Sequence, residues 1–218
     1  CYIKDLLPDG SCRMCMVEIE SRGRTKMETA CTAQVAEGLV VTTNSEKVRN
    51  ARRNILDMLL SNHKTDCFSC PSNGDCKLQE LCFEYGIERT TYSGEQTELP
   101  IDDSNKFFTY NPNLCILCHR CVNTCHKIVG RGAIDTMERG FDSAIGTPFH
   151  IDWADTNCES CGNCVQACPT GALTMKRRKN YRKYQIDKKV LTTCPHCATG
   201  CQYYLLVKDN KIVDVEAA

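Results

Sequence analysis

The sequence predicts an α+β chain built from small modules in series, rather than one or two domains around a large shared core. Three observations predict it. Of the 19 cysteines in 218 residues, eighteen fall, with one histidine, into five groups at short regular spacings. Strand-like alternation and helical periodicity take turns between those groups. The stretch from Asn111 to Ile134 is echoed from Ala154 to Leu173, an internal repeat. Modules this small bury too little apolar surface to be stable alone, and bound metal can supply the missing stabilisation.

Taken in order, Met16-Val17-Glu18-Ile19-Glu20 alternates as a strand does, and Leu39-Val40-Val41-Thr42 is a second candidate. Gly10-Ser11 precedes Cys12 in a loop, where small residues let backbone N–H groups approach sulfur. Asn44 or Ser45 can cap a helix whose apolar stripe is Val48, Ala51, Ile55, Leu56, Leu59 and Leu60. That helix ends near Ser61-Asn62 and delivers His63. A short helix over Lys77–Tyr85 is stopped by Gly86. Ser93 to Asn105 is polar and reads as a linker.

In the repeat, Asn111-Pro112-Asn113-Leu114-Cys115 parallels Ala154-Asp155-Thr156-Asn157-Cys158. Gly132-Ala133-Ile134 likewise parallels Gly171-Ala172-Leu173, and the first half carries an insertion of about Asp135 to Thr147. Lys176 to Lys183 is a basic run, read as a solvated linker, with a docking patch for an acidic redox partner as the alternative. Gln202–Val207 and Lys211–Val215 flank Asp209-Asn210 as a hairpin would. The resulting module boundaries are 1–43, 44–98, 99–186 and 187–218.

With 27 basic and 27 acidic residues, overall charge gives no reason to expect a nucleic-acid partner. No apolar run approaches the length of a membrane span. The repeated C-x2-C steps favour metal over disulfides, which implies a reducing compartment and hence the cytoplasm. The chain opens on a candidate ligand, Cys1, so its natural N-terminus is expected upstream, and a signal peptide could have preceded it.

Cys115, Cys118, Cys121 and Cys125 form C-x2-C-x2-C-x3-C, and Cys158, Cys161, Cys164 and Cys168 repeat it. A tight C-x2-C-x2-C loop wraps three corners of a 4Fe–4S cube, and the fourth cysteine of each run reaches the other cube in two-cluster ferredoxins. The expected sets are therefore Cys115, Cys118, Cys121 with Cys168, and Cys158, Cys161, Cys164 with Cys125. Pro169 follows the second run, whereas His126 takes that place in the first.

Cys1, Cys12, Cys15 and Cys31 suggest a 2Fe–2S site, with the first gap widened to ten residues. Structural zinc is the alternative there. His63, Cys67, Cys70 and Cys76 are in register for a third cube, which one imidazole leaves less negative than four thiolates would. His119, His126 and His196 stand beside ligands and could tune a cluster through hydrogen bonds; His150 has no comparable case. Cys82 is left over, as a small buried hydrophobe on its helix. Cys194, Cys197 and Cys201 form C-x2-C-x3-C and need a fourth ligand from beyond Ala218 or from another chain. The expected content is one 2Fe–2S, three complete 4Fe–4S sites and one incomplete 4Fe–4S site.

This ordered set resembles the N-terminal region of cytoplasmic formate dehydrogenase alpha subunits. The stretch Thr193-Cys194-Pro195-His196-Cys197-Ala198-Thr199-Gly200-Cys201, with Val207-Lys208-Asp209-Asn210-Lys211-Ile212-Val213, is similar to the opening of their molybdopterin domain. The resemblance implies a partial β-grasp 2Fe–2S ferredoxin module, a helical histidine-ligated module, a two-cluster ferredoxin module and the start of a molybdopterin oxidoreductase domain. It implies a molybdenum or tungsten bis-molybdopterin guanine dinucleotide centre C-terminal to residue 218, and no catalytic residue within the chain.

Electrons from formate would pass the Cys194 group, the paired cubes, the His63 cube and then the 2Fe–2S site. The partner would be a flavin/NAD(P)-binding iron–sulfur subunit, a hydrogenase or a ferredoxin, in a hetero-oligomeric complex. The front half is also similar to the complex I large subunit, which is not expected to carry the full two-cluster repeat, and to iron-only hydrogenases. The alternatives are accordingly an iron-only hydrogenase subunit, or an electron-transfer protein with no catalytic domain.

Overall fold

The computed structural model describes residues 1–4, 6, 8–177 and 181–218. They form two units, Cys1–Lys176 and Arg177–Ala218. Together they make a mixed α/β arrangement of small modules.

The first unit begins with strands β1 (Met16–Ser21), β2 (Arg24–Thr29) and β3 (Val40–Thr42), antiparallel in the order β2-β1-β3. Val17 and Ile19 point inward and are buried, as the two-residue period requires. Arg22 and Gly23 both take left-handed φ, 50° and 71°, the requirement of a two-residue type I′ turn.

Helix α1 (Glu46–Ser61) starts at Ser45, whose hydroxyl accepts from Val48 N–H at 3.2 Å. Its stripe buries Val48, Leu56 and Leu60, and Arg52 donates to the Met16 carbonyl at 2.8 Å, tying helix to sheet. Helix α2 (Lys77–Glu84) sets Leu78 against Leu56 and Leu60. It ends in a Schellman motif: Gly86 is left-handed, its N–H reaches Phe83 O, and Ile87 N–H reaches Cys82 O.

The expected linker residue Asp102 makes a β-bridge with Tyr110. Tyr110 ends β4 (Phe108–Tyr110). Next come α3 (Arg120–Asn123), β5 (Asp135–Met137), β6 (Ala144–Gly146), α4 (Asn163–Ala167) and β7 (Leu173–Met175). β4 pairs with β7 and β5 with β6, both antiparallel. The insertion of the first half is therefore a hairpin, and its Ile145 enters the core beside Phe108, Tyr110 and Trp153. Both aromatic rings lie 5.0 Å from the Trp153 ring, centroid to centroid.

The two halves of the repeat differ after the fourth cysteine. Pro169 has no N–H and cannot continue a helix, and α4 stops at Ala167. His126 imposes no such stop, and α3 runs on as a π-helical turn over Thr124–Val129, closed by left-handed Gly130.

The second unit is a three-stranded antiparallel sheet of β8 (Lys188–Thr193), β9 (Gln202–Lys208) and β10 (Lys211–Ala217), in the order β10-β9-β8. Asp209 and Asn210 are both left-handed, giving the expected hairpin. Three positions of the basic run, 178–180, lie outside the described residues; of the rest, Lys176 pairs with Asp103 at 3.1 Å, and Tyr181 is buried with its hydroxyl donating to Asp214 at 2.7 Å, so the run is not solvated throughout.

Candidate metal centres

The cysteine loops of the two halves share a backbone geometry that their side chains do not share. In Cys115–Arg120, Leu117 and His119 take φ of 49° and 58°. In Cys158–Asn163, the matching Ser160 and Gly162 take 54° and 75°. Left-handed backbone costs an L-residue about 1–2 kcal/mol. Here it turns the amide of the second residue back onto the first thiol: Leu117 N–H to Cys115 Sγ and Ser160 N–H to Cys158 Sγ, both 3.4 Å. Ala133 N–H approaches Cys125 Sγ at the same distance.

The thiols gather across the halves. Cys115, Cys118, Cys121 and Cys168 line one largely apolar cavity, with Tyr110 and Leu173. Burial pushes Cys115 up to about 12, against the pull of the Leu117 amide, and Cys118 and Cys168 add to the rise. Cys121 is pushed well above the ordinary thiol value by burial and then by Cys115, Cys168 and Cys118. Cys164 is raised to about 12 by burial, then by Cys158, Cys161 and Cys125. Cys168 thus shares the cavity of the first run, and Cys125 lies within electrostatic reach of Cys164 in the second. Several thiolates crowded into apolar surroundings repel one another, and a positively charged core that binds each sulfur removes that cost. The donor set therefore fits iron–sulfur clusters. Among the described residues no three of Cys, His, Asp and Glu converge on a single ion position.

His63 follows α1, its N–H bonded to Leu60 O at 3.1 Å. The ring is buried, which lowers its pKa and leaves a neutral imidazole at pH 7, and Nδ1 is enclosed without a hydrogen-bond partner. A buried ring nitrogen in that state suits a metal ligand. Cys76 caps α2 and is raised by burial against the Gln79 and Leu78 amides, with Cys70 and Cys67 raising it further. Cys67 is raised by burial, then by Cys70. Cys82 packs against the Leu56–Leu60–Leu78 cluster, and burial, with Cys76 and Cys67 nearby, pushes it up to about 11. It is a small hydrophobe on a helix, and it also stands within electrostatic reach of the His63 group, a proximity that sequence spacing did not signal.

In the first group, Cys31 is raised by burial and by a hydrogen bond with Cys15, and is opposed by the Gly10 amide. Gly10 is left-handed, and a Cβ there would meet Thr32 Cγ2 at 3.3 Å, so a larger residue would be strained in both backbone and space. The backbone nitrogen of Cys1 lies 3.2 Å from Cys12 Sγ. In the second unit, Cys194 N–H bonds Cys201 O at 2.8 Å and closes the last cysteine loop. Cys197 is exposed there, and its pKa is lowered by Thr199.

Two histidines beside ligands hold oxygen acceptors. His126 Nε2 lies 2.9 Å from Ile134 O. His119 Nδ1 lies 2.8 Å from Asp9 Oδ2, and its Nε2 lies 3.3 Å from Thr136 Oγ1. His119 thereby joins the loop before Cys12 to the loop of Cys118. His150 pairs with Glu138 on the surface.

Four family models match the chain. They are a 2Fe-2S iron-sulfur cluster binding domain over residues 4–46, the NADH-ubiquinone oxidoreductase-G iron-sulfur binding region over 52–91, the ferredoxin-like domain of NADH-quinone oxidoreductase subunit 3 over 106–174, and a 4Fe-4S dicluster domain over 157–204. The third runs across both halves of the repeat.

Among curated proteins, the chain is 41% identical over 93% of its length to the NADPH-Fe(3+) oxidoreductase subunit alpha of Geobacter sulfurreducens. It is 40% identical over 100% of its length to a NADH-quinone oxidoreductase subunit of Rhizobium meliloti. It spans about a quarter of the length of these relatives, 23% and 25%. Among solved structures, a chain of a NAD+-reducing NiFe-hydrogenase in the H2-reduced state is similar at 31% identity and a TM-score of 0.71, over 81% of this chain and 76% of that one.

Proposed function

The chain belongs to the iron–sulfur relay family shared by complex I subunits, hydrogenases and related oxidoreductases, and on that premise we propose that it is the electron-transfer arm of an NAD(P)-linked oxidoreductase. The observation that carries the reading is the pair of cysteine loops with matched left-handed geometry, their thiols gathered across the two halves.

The residues that would hold the cofactors are Cys1, Cys12, Cys15 and Cys31 for a 2Fe–2S cluster, and His63, Cys67, Cys70 and Cys76 for a 4Fe–4S cluster. Cys115, Cys118, Cys121 and Cys168 would hold a second cube, and Cys158, Cys161, Cys164 and Cys125 a third. Cys194, Cys197 and Cys201 supply three ligands of a fourth. Such clusters accept and release one electron at a time. The protein's own part is to bury the sulfurs, to direct the Leu117 and Ser160 amides at them, and to fix their spacing through Trp153, Tyr110 and Leu173.

The partner on this reading is a flavin/NAD(P)-binding subunit, a hydrogenase or a ferredoxin. The cytoplasm is the proposed location; among the described residues no helix is long and apolar enough to cross a membrane. The finer reading, a formate dehydrogenase arm, rests on the Cys194–Cys201 loop and the hairpin after it. The Rhizobium NADH-quinone oxidoreductase relative aligns over 100% of the chain and so shares that region too, which favours the broader reading.

The test is anaerobic purification of the full polypeptide with its complex, followed by iron and sulfide analysis and dye reduction. NAD(P)H, formate and H2 would be offered in turn as donors. Reduction by NAD(P)H is the expected result, and reduction by formate as well would establish the finer reading. A protein isolated with zinc and no labile sulfide would sink both.

A further inference from the structure

The second and third modules of the first unit approach each other most tightly at Gly171. Gly171 follows Cys168-Pro169-Thr170, and a Cβ built on it would lie 2.6 Å from Cys70 Sγ, far inside contact distance. Its other near neighbours are Leu114 Cδ1 at 3.3 Å and Ser72 Cβ at 3.6 Å. Gly171 is not among the residues with left-handed φ, so its backbone does not require glycine. The demand is for space at one sulfur.

The surrounding contacts hold the same two segments together. Lys77 N–H donates to Pro169 O at 2.8 Å, and Ser72 Oγ donates to Thr170 O at 3.4 Å. Thr170 Oγ1 in turn donates to Leu114 O at 2.8 Å, fixing the segment to the residue before Cys115. Cys70 packs on the core that holds Cys115, Cys121 and Cys168 rather than on the Leu56–Leu60–Leu78 cluster of its own module.

We propose that Gly171 is a positioning residue for Cys70: its missing Cβ lets that sulfur rest on the backbone just after Cys168, and this contact directly connects the His63 and Cys115 ligand sets, beside the Lys64 N–H bond to Asn113 O at 3.2 Å. The inference rests on the iron–sulfur reading above. A free thiol could swing away from an added methyl group at little cost. A sulfur bound to a cluster cannot, so the cost falls on the His63 site or on its distance from the Cys115 set. The exchange at stake is a single electron, one site oxidised as the other is reduced, with no bond made and no proton moved.

The test compares the loaded full-length protein with its Gly171→Ala variant. Gly146→Ala serves as the control, since an added Cβ there meets only the flexible Met137 side chain. Iron per chain, the EPR signals of each reduced site and the rate of electron equilibration after a flash of reductant are measured. Gly171→Ala is expected to shift or remove the His63-site signal, or to slow equilibration with the Cys115 site. The Cys158-site and 2Fe–2S signals should be unchanged, and Gly146→Ala should change none of them. If Gly171→Ala does not fold, Ser72→Ala, which removes a hydrogen bond across the same contact and adds no atoms, must give the same selective change in milder form. All signals and rates unchanged in the variant that folds would overturn the proposal. A wild-type protein with no cluster at His63 would instead overturn the reading beneath it.

Discussion

At the scale of single residues, burial decides what His63 and its neighbours can do. The imidazole is neutral at pH 7, and its enclosed Nδ1 has no hydrogen-bond partner. His63→Ala should therefore lose one cube, about four irons per chain. His63→Cys should keep the iron and make that site harder to reduce, because a thiolate adds a negative charge. Iron analysis and an EPR redox titration would show both effects, and Cys82→Ser should leave the iron count unchanged. Asp57 gives a pH-dependent case. Its carboxylate accepts from the Thr91 hydroxyl, the Thr90 hydroxyl and the Thr91 amide, and these bonds lower its pKa. A depressed carboxylate stabilises the fold above its unfolded pKa and loses that contribution as pH falls through the folded value. Asp57→Asn should thus lower the melting temperature at pH 7, and the gap to wild type should close as pH drops below the usual carboxylate range near 3.8. The candidate ligand groups were legible in the sequence because their spacing is regular. The left-handed Leu117, His119 and Ser160 were not, since only Gly162 among the four matched positions advertises that conformation by its type.

Among the elements, α1 shows how much a local pattern can settle. Its cap, its stripe and its end are all written in residues 45–62, and the helix forms where they place it. Ser45→Ala should cost about 1 kcal/mol through the lost cap. Leu56→Ala, at a fully buried position, should cost about 2–5 kcal/mol through the cavity it leaves. Thermal melts of the loaded protein would rank the two. The hairpin at Asp209-Asn210 was equally legible, because two adjacent residues that tolerate left-handed φ leave few other turns open. Strands β2 and β8 were not foreseen. Arg24–Thr29 carries three charged residues of six and grades from exposed to buried, and Lys188–Thr193 is exposed at five of six, so neither shows the alternation that reveals a strand with one buried face. Their strand geometry comes from pairing with β1 and β9. The π-helical turn after α3 was missed for a related reason. Proline is absent at His126, but nothing in the local sequence marks the wider turn the chain takes there.

For the whole molecule, order along the chain is not order in space. Along the chain the sites stand in single file, with the His63 group between the first group and the repeat. In the first unit the loop before Cys12 rests on the Cys118 loop through Asp9 and His119, while Cys70 rests against Gly171. The repeat module therefore touches both others, an arrangement that spacing cannot carry because it depends on long-range packing. The four ligand sets proposed as complete lie within Cys1–Lys176, which is a compact unit by itself. A polypeptide ending after Lys176 should accordingly retain about 14 irons, from one 2Fe–2S and three 4Fe–4S clusters. Iron and sulfide analysis would check this, and a protein that lost iron in proportion across all sites would show that the first unit depends on the second. The gathering of Cys168 with Cys115, Cys118 and Cys121 also has a consequence in time. Translation supplies roughly 5–20 residues per second, so Cys121 precedes Cys168 off the ribosome by roughly 2–10 s. Throughout that interval the nascent chain holds three thiols of a set whose fourth has not been made. A cube delivered early would sit on an open corner exposed to oxygen, and iron is best loaded once synthesis has passed Pro169.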